Sequence, residues 1–260
     1  MNKDFQIINL TPENIAEYGV CGYKDVKKHK ELRNKIDWFK EYYPKGLRIK
    51  ALILEDGSYQ GMLEYIPGEF AHRPVNAKNY QFIHCVFVGF KKEFKQKGYA
   101  SALLKECIEE AKASSMKGVA VVSRKGSFMC DNKIFLKHGF EVVDKAMPDF
   151  QLLALRFNER SSLPSFKNHI SDLAPIKEEG LIIMRSVQCP YTEKNVNAIL
   201  KTAKQKYNLS AQLIDLKDSV AVQKSPCAFG SFCILYNGEI ITHHPISNKR
   251  FENIMNKIIN

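Results

Sequence analysis

The chain has 260 residues, 45% of them apolar, 11% aromatic and 26% charged, which is globular usage and excludes a disordered or fibrous chain. Its 39 Lys and Arg against 28 Asp and Glu give a formal charge of +11; the excess is spread along the chain, permitting an anionic partner without marking a nucleic-acid-binding tail. No run approaches the roughly 18 consecutive apolar residues of a membrane span, the N-terminus has no apolar signal-like core, and the seven cysteines form no CxxC pair. The expectation is a cytoplasmic protein with no membrane or nucleic-acid partner, no metal site and no disulfide framework.

At roughly 100–200 residues per domain, the length allows two domains. Residues 5–9 read as a strand, and Thr11-Pro12-Glu13-Asn14 as a helix start with Thr11 as cap. The charged segment 24–42 is predicted helical, ending before Pro44-Lys45-Gly46. Strands predicted over 47–55 and 59–66 flank Asp56-Gly57, a strong hairpin signal. After a loop over 67–79, a strand over 80–88 leads through a lysine-rich stretch into a helix from about Ser101. Its apolar residues Ala100, Leu103, Leu104, Cys107, Ile108 and Ala111 recur along one helical face. A buried strand over 118–123, a short helix over 130–138 and strands over 140–143 and 151–157 follow. The stretch 158–179, rich in Ser, Pro and charge, reads as a linker.

Beyond it the pattern restarts. A strand over 181–185 precedes a helix carrying Val196, Ile199, Leu200, Ala203 and Tyr207. Next come a strand over 210–216, a helical stretch near 217–223, and strands over 231–236 and 239–243 about the turn Asn237-Gly238. A last helix carries Phe251, Ile254, Met255, Ile258 and Ile259. The order is βαβαββα with no internal repeat, and the expected class is α/β with domains over 1–157 and 180–260.

The segment KKEFKQKGYASALLKECIEEA carries the most chemistry. A strand feeding a glycine-containing loop into a helix start suits an anion, because the first amides of the helix lack intrahelical partners and the helix dipole favours negative charge. Gly98 lets backbone approach a phosphate, Ala100 is the next smallest choice, and Lys91, Lys92, Lys95 and Lys97 add positive charge.

Lys95-Gln96-Lys97-Gly98-Tyr99-Ala100 resembles the Gln/Arg-x-x-Gly-x-Gly/Ala pyrophosphate loop of the GCN5-related N-acetyltransferase (GNAT) superfamily. Lys95 falls at the Gln/Arg position, Gly98 at the first glycine and Ala100 at the Gly/Ala position. Downstream, DNKIFLKHGFEVVD resembles the fourth helix and next strand of that family, with Phe135, Lys137, Gly139 and Phe140 matching in spacing. The resemblance spans about residues 3–157. It implies a mixed sheet with flanking helices and acetyl-CoA as co-substrate. The pantetheine arm would pair with the backbone of Val86, Phe87 and Val88, and the pyrophosphate would lie against residues 96–101, including Gln96, Lys97, Tyr99 and Ser101. Phe135 stands where the family often has a tyrosine that protonates the departing thiolate, and phenylalanine has no proton to give.

Direct attack of an amine on a thioester needs a neutral amine, positioning and a place for its proton. Glu64, Tyr65, Glu69 and His72 lie on the 59–66 strand and the loop after it, and His84 and Cys85 on the 80–88 strand. Strict alternation puts His84 on the face of Val86 and Val88, with Cys85 opposite. Glu64 and His84 are the expected catalytic pair.

The C-terminal order, with Cys189-Pro190-Tyr191-Thr192 after its first strand and SFCILYNGEIITH as a hairpin, resembles a thioredoxin-like domain. SVQCPY and FGSFCILYNGEI behind a GNAT domain resemble the YoaP-like group of bacterial acetyltransferases. Thr192 replaces the second cysteine of a CxxC, leaving Cys189 as a candidate reactive thiol at a helix start. The sequence thus points to an acetyl-CoA-dependent N-acetyltransferase acting on a small-molecule or peptide amine, with a homodimer left open. The alternatives are a non-catalytic acyl-CoA binder and a monothiol redox or sensor protein.

Overall fold

The computed structural model describes residues 4–89, 94, 96–171 and 179–259. The chain divides into two compact units, Met1–Ala71 with Val75–Phe166 and His72–Pro74 with Lys167–Asn260. The first unit contains β1 (Phe5–Asn9), α1 (Ile15–Tyr18), α2 (Lys30–Tyr42), β2 (Arg48–Leu54), β3 (Tyr59–Pro67), β4 (Val75–Asn76), β5 (Tyr80–Val88), α3 (Tyr99–Ala113), β6 (Gly118–Ser123), α4 (Lys133–Lys137), β7 (Glu141–Ala146), β8 (Phe150–Arg156) and β9 (Ser165–Phe166).

Seven of these strands form a mixed sheet in the order β1-β2-β3-β5-β6-β8-β7. All neighbours are antiparallel except β5 and β6. Two parallel strands cannot be joined by a tight turn, and α3 is the crossover between them. The stripe Leu103, Leu104, Cys107, Ile108 and Ala111 packs on Leu52, Leu63, Ile83, Val119, Val121 and Leu153, forming the core on one sheet face. Removing these chains from water contributes roughly 1.5–3 kcal/mol for each fully buried Leu, Ile or Val. On the same face, the Glu110 carboxylate of α3 accepts hydrogen bonds from Lys50 and Tyr65.

The β2–β3 hairpin turns at Asp56-Gly57 as expected: the Asp56 carboxylate accepts the Ser58 amide at 2.8 Å, and Gly57 sits at φ 77°. The helix predicted over 24–42 starts at Lys30 instead. The Asp25 carboxylate accepts the amides of Lys27 and Lys28 at 2.9 and 3.1 Å, a local turn that competes with helix. Within the stretch read as linker, β9 pairs antiparallel with β4, and the Asp144 carboxylate accepts the Phe166 amide at 2.7 Å. Two-residue strands carry no periodicity, so this pairing has no sequence signal.

The second unit contains α5 (Asn168–Ser171), β10 (Leu181–Arg185), α6 (Tyr191–Lys194), α7 (Val196–Tyr207), β11 (Ala211–Asp215), α8 (Ser219–Gln223), β12 (Phe232–Tyr236), β13 (Glu239–Thr242) and α9 (Asn248–Ile259). Its sheet has the order β11-β10-β12-β13, with β10 and β11 parallel and β12 antiparallel to both its neighbours. Among the described residues, no helix is long and apolar enough to cross a membrane.

Gly118 opens β6 where no side chain fits: an added Cβ would lie 2.1 Å from the Leu155 carbonyl oxygen and 2.9 Å from the Tyr80 ring. Gly118→Ala is expected to destabilise the fold by about 1–3 kcal/mol, read as a lower urea midpoint at an unchanged m-value.

Candidate active site

The site is built around one irregularity in the sheet. β3 and β5 pair regularly from Gly61↔Val88 to Glu64↔Cys85, and the next pair is Tyr65↔Ile83. His84 is therefore an extra residue, a β-bulge on β5. Directly paired residues share a face. Leu63, Tyr65, Ile83 and Val86 accordingly face α3, whereas Glu64, Cys85 and His84 face the other way. The bulge overturns the alternation expected from sequence: His84 lies with Glu64, opposite Val86, because the extra residue resets the period of two.

On that second face, His84 Nδ1 lies 3.1 Å from Glu64 Oε1, and Lys35 of α2 donates to the other oxygen, Glu64 Oε2. All three side chains are buried, at 0–1% exposure. Lys35 Nζ also lies 4.0 Å from the centre of the Trp38 ring. The Trp38 and Phe82 rings flank His84 at centroid distances of 6.2 and 5.9 Å. Burial alone would raise the Glu64 pKa. The Lys35 charge and the bond to His84 outweigh it and hold the pKa at about 2, below the ordinary 4.5. Glu64 is thus a permanent carboxylate at neutral pH. It accepts the Nδ1 proton of His84 and leaves Nε2 as the basic nitrogen of that ring.

Sequence reasoning missed Lys35. Its signal was positional: Leu32, Lys35, Phe39 and Tyr42 follow the spacing of a buried helical stripe, and all four are buried. A lysine there needs a buried anion.

The bulge also marks where two strands part. β5 and β6 are paired only over Tyr80–Ile83 and Gly118–Val121, while β5 continues to Val88 along β3. Val86, Phe87 and Val88 thus lie on the stretch of β5 beyond its pairing with β6. At the head of α3, Gly98 is the cap residue at φ 80°, and an added Cβ would meet nothing within 4 Å among the described residues. The first bond of the helix runs from the Ala102 amide to the Gly98 carbonyl at 2.9 Å, so the amides of Tyr99, Ala100 and Ser101 stand at the open helix end. Gln96, at φ 59°, and Lys97 are exposed. Lys91, Lys92 and Lys95 lie outside the described residues.

Other expected positions separate from this cluster. Tyr65 bonds Glu110 on the α3 face, and Glu69 is exposed and accepts the Asn79 amide at 3.4 Å. His72 belongs to the second unit. Phe135, expected beside the cofactor, is 0% exposed and packs on Phe140 at 5.5 Å within the α3-side core; its apolar ring completes that core and offers no ligand-facing surface. Cys189 precedes α6, which has only four residues and is followed by a break at Asn195, too short for a developed helix dipole. Among the described residues, no group of three or more His, Cys, Asp or Glu could hold a metal ion.

A family model described as Acetyltransferase (GNAT) family matches residues 13–128, and one described as YoaP-like matches residues 211–253. The chain is 31% identical over 254 residues to an uncharacterized N-acetyltransferase, YoaP, of Bacillus subtilis (strain 168), a match covering 96% of this chain and 98% of that protein. Among solved structures it is similar to a GNAT family acetyltransferase from Elizabethkingia anophelis with acetyl-CoA bound, at 16% identity over 60% of this chain and 100% of that one, TM-score 0.38. A GNAT family acetyltransferase from Brucella melitensis in complex with acetyl-CoA matches at 15% identity over 63% and 93% of the two chains, TM-score 0.39.

Two outcomes follow from the buried charges. Because the folded pKa of Glu64 is depressed, its contribution to stability is complete above about pH 4.5 and is lost as pH falls towards 2; urea midpoints should fall across that window. Lys35→Met alone, or Glu64→Gln alone, should cost about 3–5 kcal/mol by stranding the partner's charge. The double substitution should cost clearly less than the two together, a coupling that a double-mutant cycle reads directly.

Proposed function

The chain belongs to the acetyltransferase (GNAT) family, among the YoaP-like N-acetyltransferases, and from that premise we propose that it transfers the acetyl group of acetyl-CoA to the nitrogen of a small-molecule or peptide amine. The observation that carries the mechanism is the Glu64–His84 pair, set by the bulge at the point where β5 leaves β6.

Acetyl-CoA fits the groove between the two strands. The backbone of Val86, Phe87 and Val88 offers edge groups to the amides of the pantetheine arm. The amides of residues 96–101 and the Lys97 charge suit the pyrophosphate, helped by the absence of a side chain at Gly98. Binding here relies on main chain, which lets the thioester carbonyl be held in register with the bulge.

The amine attacks that carbonyl directly, and His84 takes its proton at Nε2. Glu64 does not itself move a proton, being far too weak a base at a pKa of about 2. It orients the imidazole and stabilises the imidazolium that forms, while Lys35 keeps the carboxylate ionised. The burial of all three keeps the transfer away from bulk water.

The second unit reads as a thioredoxin-like accessory domain, supported by its βαβαββα order and by a sheet whose third strand is antiparallel to the rest. The four-residue α6 favours a binding role over activation of Cys189. All seven cysteines are free, which supports a reducing, cytoplasmic setting.

The test is release of free thiol from acetyl-CoA with a panel of polyamines, aminoglycosides and lysine peptides. Wild-type protein should release thiol with at least one amine. His84→Ala should lower kcat roughly a hundredfold, within the usual range for a lost general base, with little change in KM for acetyl-CoA. Unchanged turnover in both His84→Ala and Glu64→Gln would remove the pair from the mechanism.

A further inference from the structure

Aminolysis of a thioester moves two protons, one off the nitrogen and one onto the sulfur. His84 accounts for the first. Phe135 has no exchangeable proton and is sealed in the core, and the Tyr65 hydroxyl is committed to Glu110 on the α3 face. A second irregularity in the sheet brings another hydroxyl to the Glu64 face. β2 and β3 pair as Leu52↔Gly61 and then as Ile53↔Tyr59, so Gln60 is an extra residue in β3. Leu52 and Gly61 lie on the α3 side, where a Cβ at Gly61 would touch Leu103 at 3.5 Å. The shift turns Tyr59 to the opposite face, that of Glu64 and Cys85.

There the Tyr59 hydroxyl is buried without a hydrogen-bond partner among the described residues, the nearby Cys21 amide falling outside bonding geometry. A buried hydroxyl in that state costs about 1–3 kcal/mol, and such an exception calls for an explanation. The hydroxyl is close enough to Cys85 and Glu64 to feel their charges, which sets it beside the bulged stretch of β5.

We propose that Tyr59 is a further catalytic residue, the group that gives a proton to the sulfur as the thioester breaks. This rests on the acetyl-transfer reading above. The nitrogen forms its bond to the carbonyl carbon, and the C–S bond breaks with its electron pair on sulfur. Sulfur takes the Tyr59 proton, and His84 takes the proton of the amine. The imidazolium then reprotonates the phenolate, directly or through solvent, so both side chains end as they began and the products are the amide and the free thiol. Burial, reinforced by Cys21, Cys85 and Glu64, holds the Tyr59 pKa well above the ordinary tyrosine value, so the proton is in place at any working pH.

Tyr59→Phe keeps the ring and removes only the oxygen. With acetyl-CoA and the best amine of the panel, kcat should fall roughly a hundredfold while KM for acetyl-CoA stays within about twofold. The thermal midpoint should hold or rise, because an unsatisfied hydroxyl has been removed. Activity falling together with the thermal midpoint would reveal a structural hydroxyl and overturn the proposal, as would an unchanged kcat. Wild-type protein that releases no thiol with any amine would instead defeat the acetyl-transfer reading itself, an outcome distinct from either.

Discussion

A carboxylate almost wholly removed from water is an unstable thing to build a sheet around, and the first unit is arranged to keep one charged. Glu64 is 1% exposed. Isolated, it would take up a proton rather than bear the desolvation. It stays ionised because Lys35 on α2 and His84 on β5 both bond to it. That requirement fixes three elements relative to one another: the helix must bring Lys35 to the sheet, β5 must spare a residue for His84, and β3 must carry Glu64 between them. Breaking any one contact leaves an uncompensated buried charge, so the site and the stability of this face stand together.

The opposite face shows the same principle in a milder form. Glu110 on α3 collects Lys50 and Tyr65, but its side chain is 41% exposed, and solvent shares the task. That clamp ties to the sheet the helix whose first turn forms the phosphate-binding end. Polar anchors thus locate both helices, one for each side of the reaction, while the apolar stripe of α3 supplies the bulk of the burial.

Much of this was legible in the sequence. The hairpin at Asp56-Gly57, the strand over 80–88 and the stripe of α3 all emerge with the expected registers, because turn chemistry and periodicity are local properties. Glu64 and His84 were legible as residues but not as a pair. Their meeting depends on a bulge, and a one-residue insertion in a strand leaves the pattern of apolar residues almost unchanged. The same blindness hid Tyr59, which the extra Gln60 turns to the other face. Lys35 was lost among the charges of the 24–42 segment, since a run of lysines looks solvated until one is found on the buried stripe. The β4–β9 pairing stayed hidden because it joins residues far apart in the chain.

His84 is a supernumerary residue, and that has a consequence for how such a chain can change over evolutionary time. Substitutions in β5 act one side chain at a time. A deletion of one residue between Ile83 and Cys85 would instead straighten the ladder and turn every later residue of the strand over. Val86 would leave the core, and the backbone that now diverges from β6 would be offered a partner again. Lineages carrying this fold can drift widely in residue identity along β5, yet its length is quantised. Alignments of such chains should therefore accept a change of letter at position 84 far more readily than a gap.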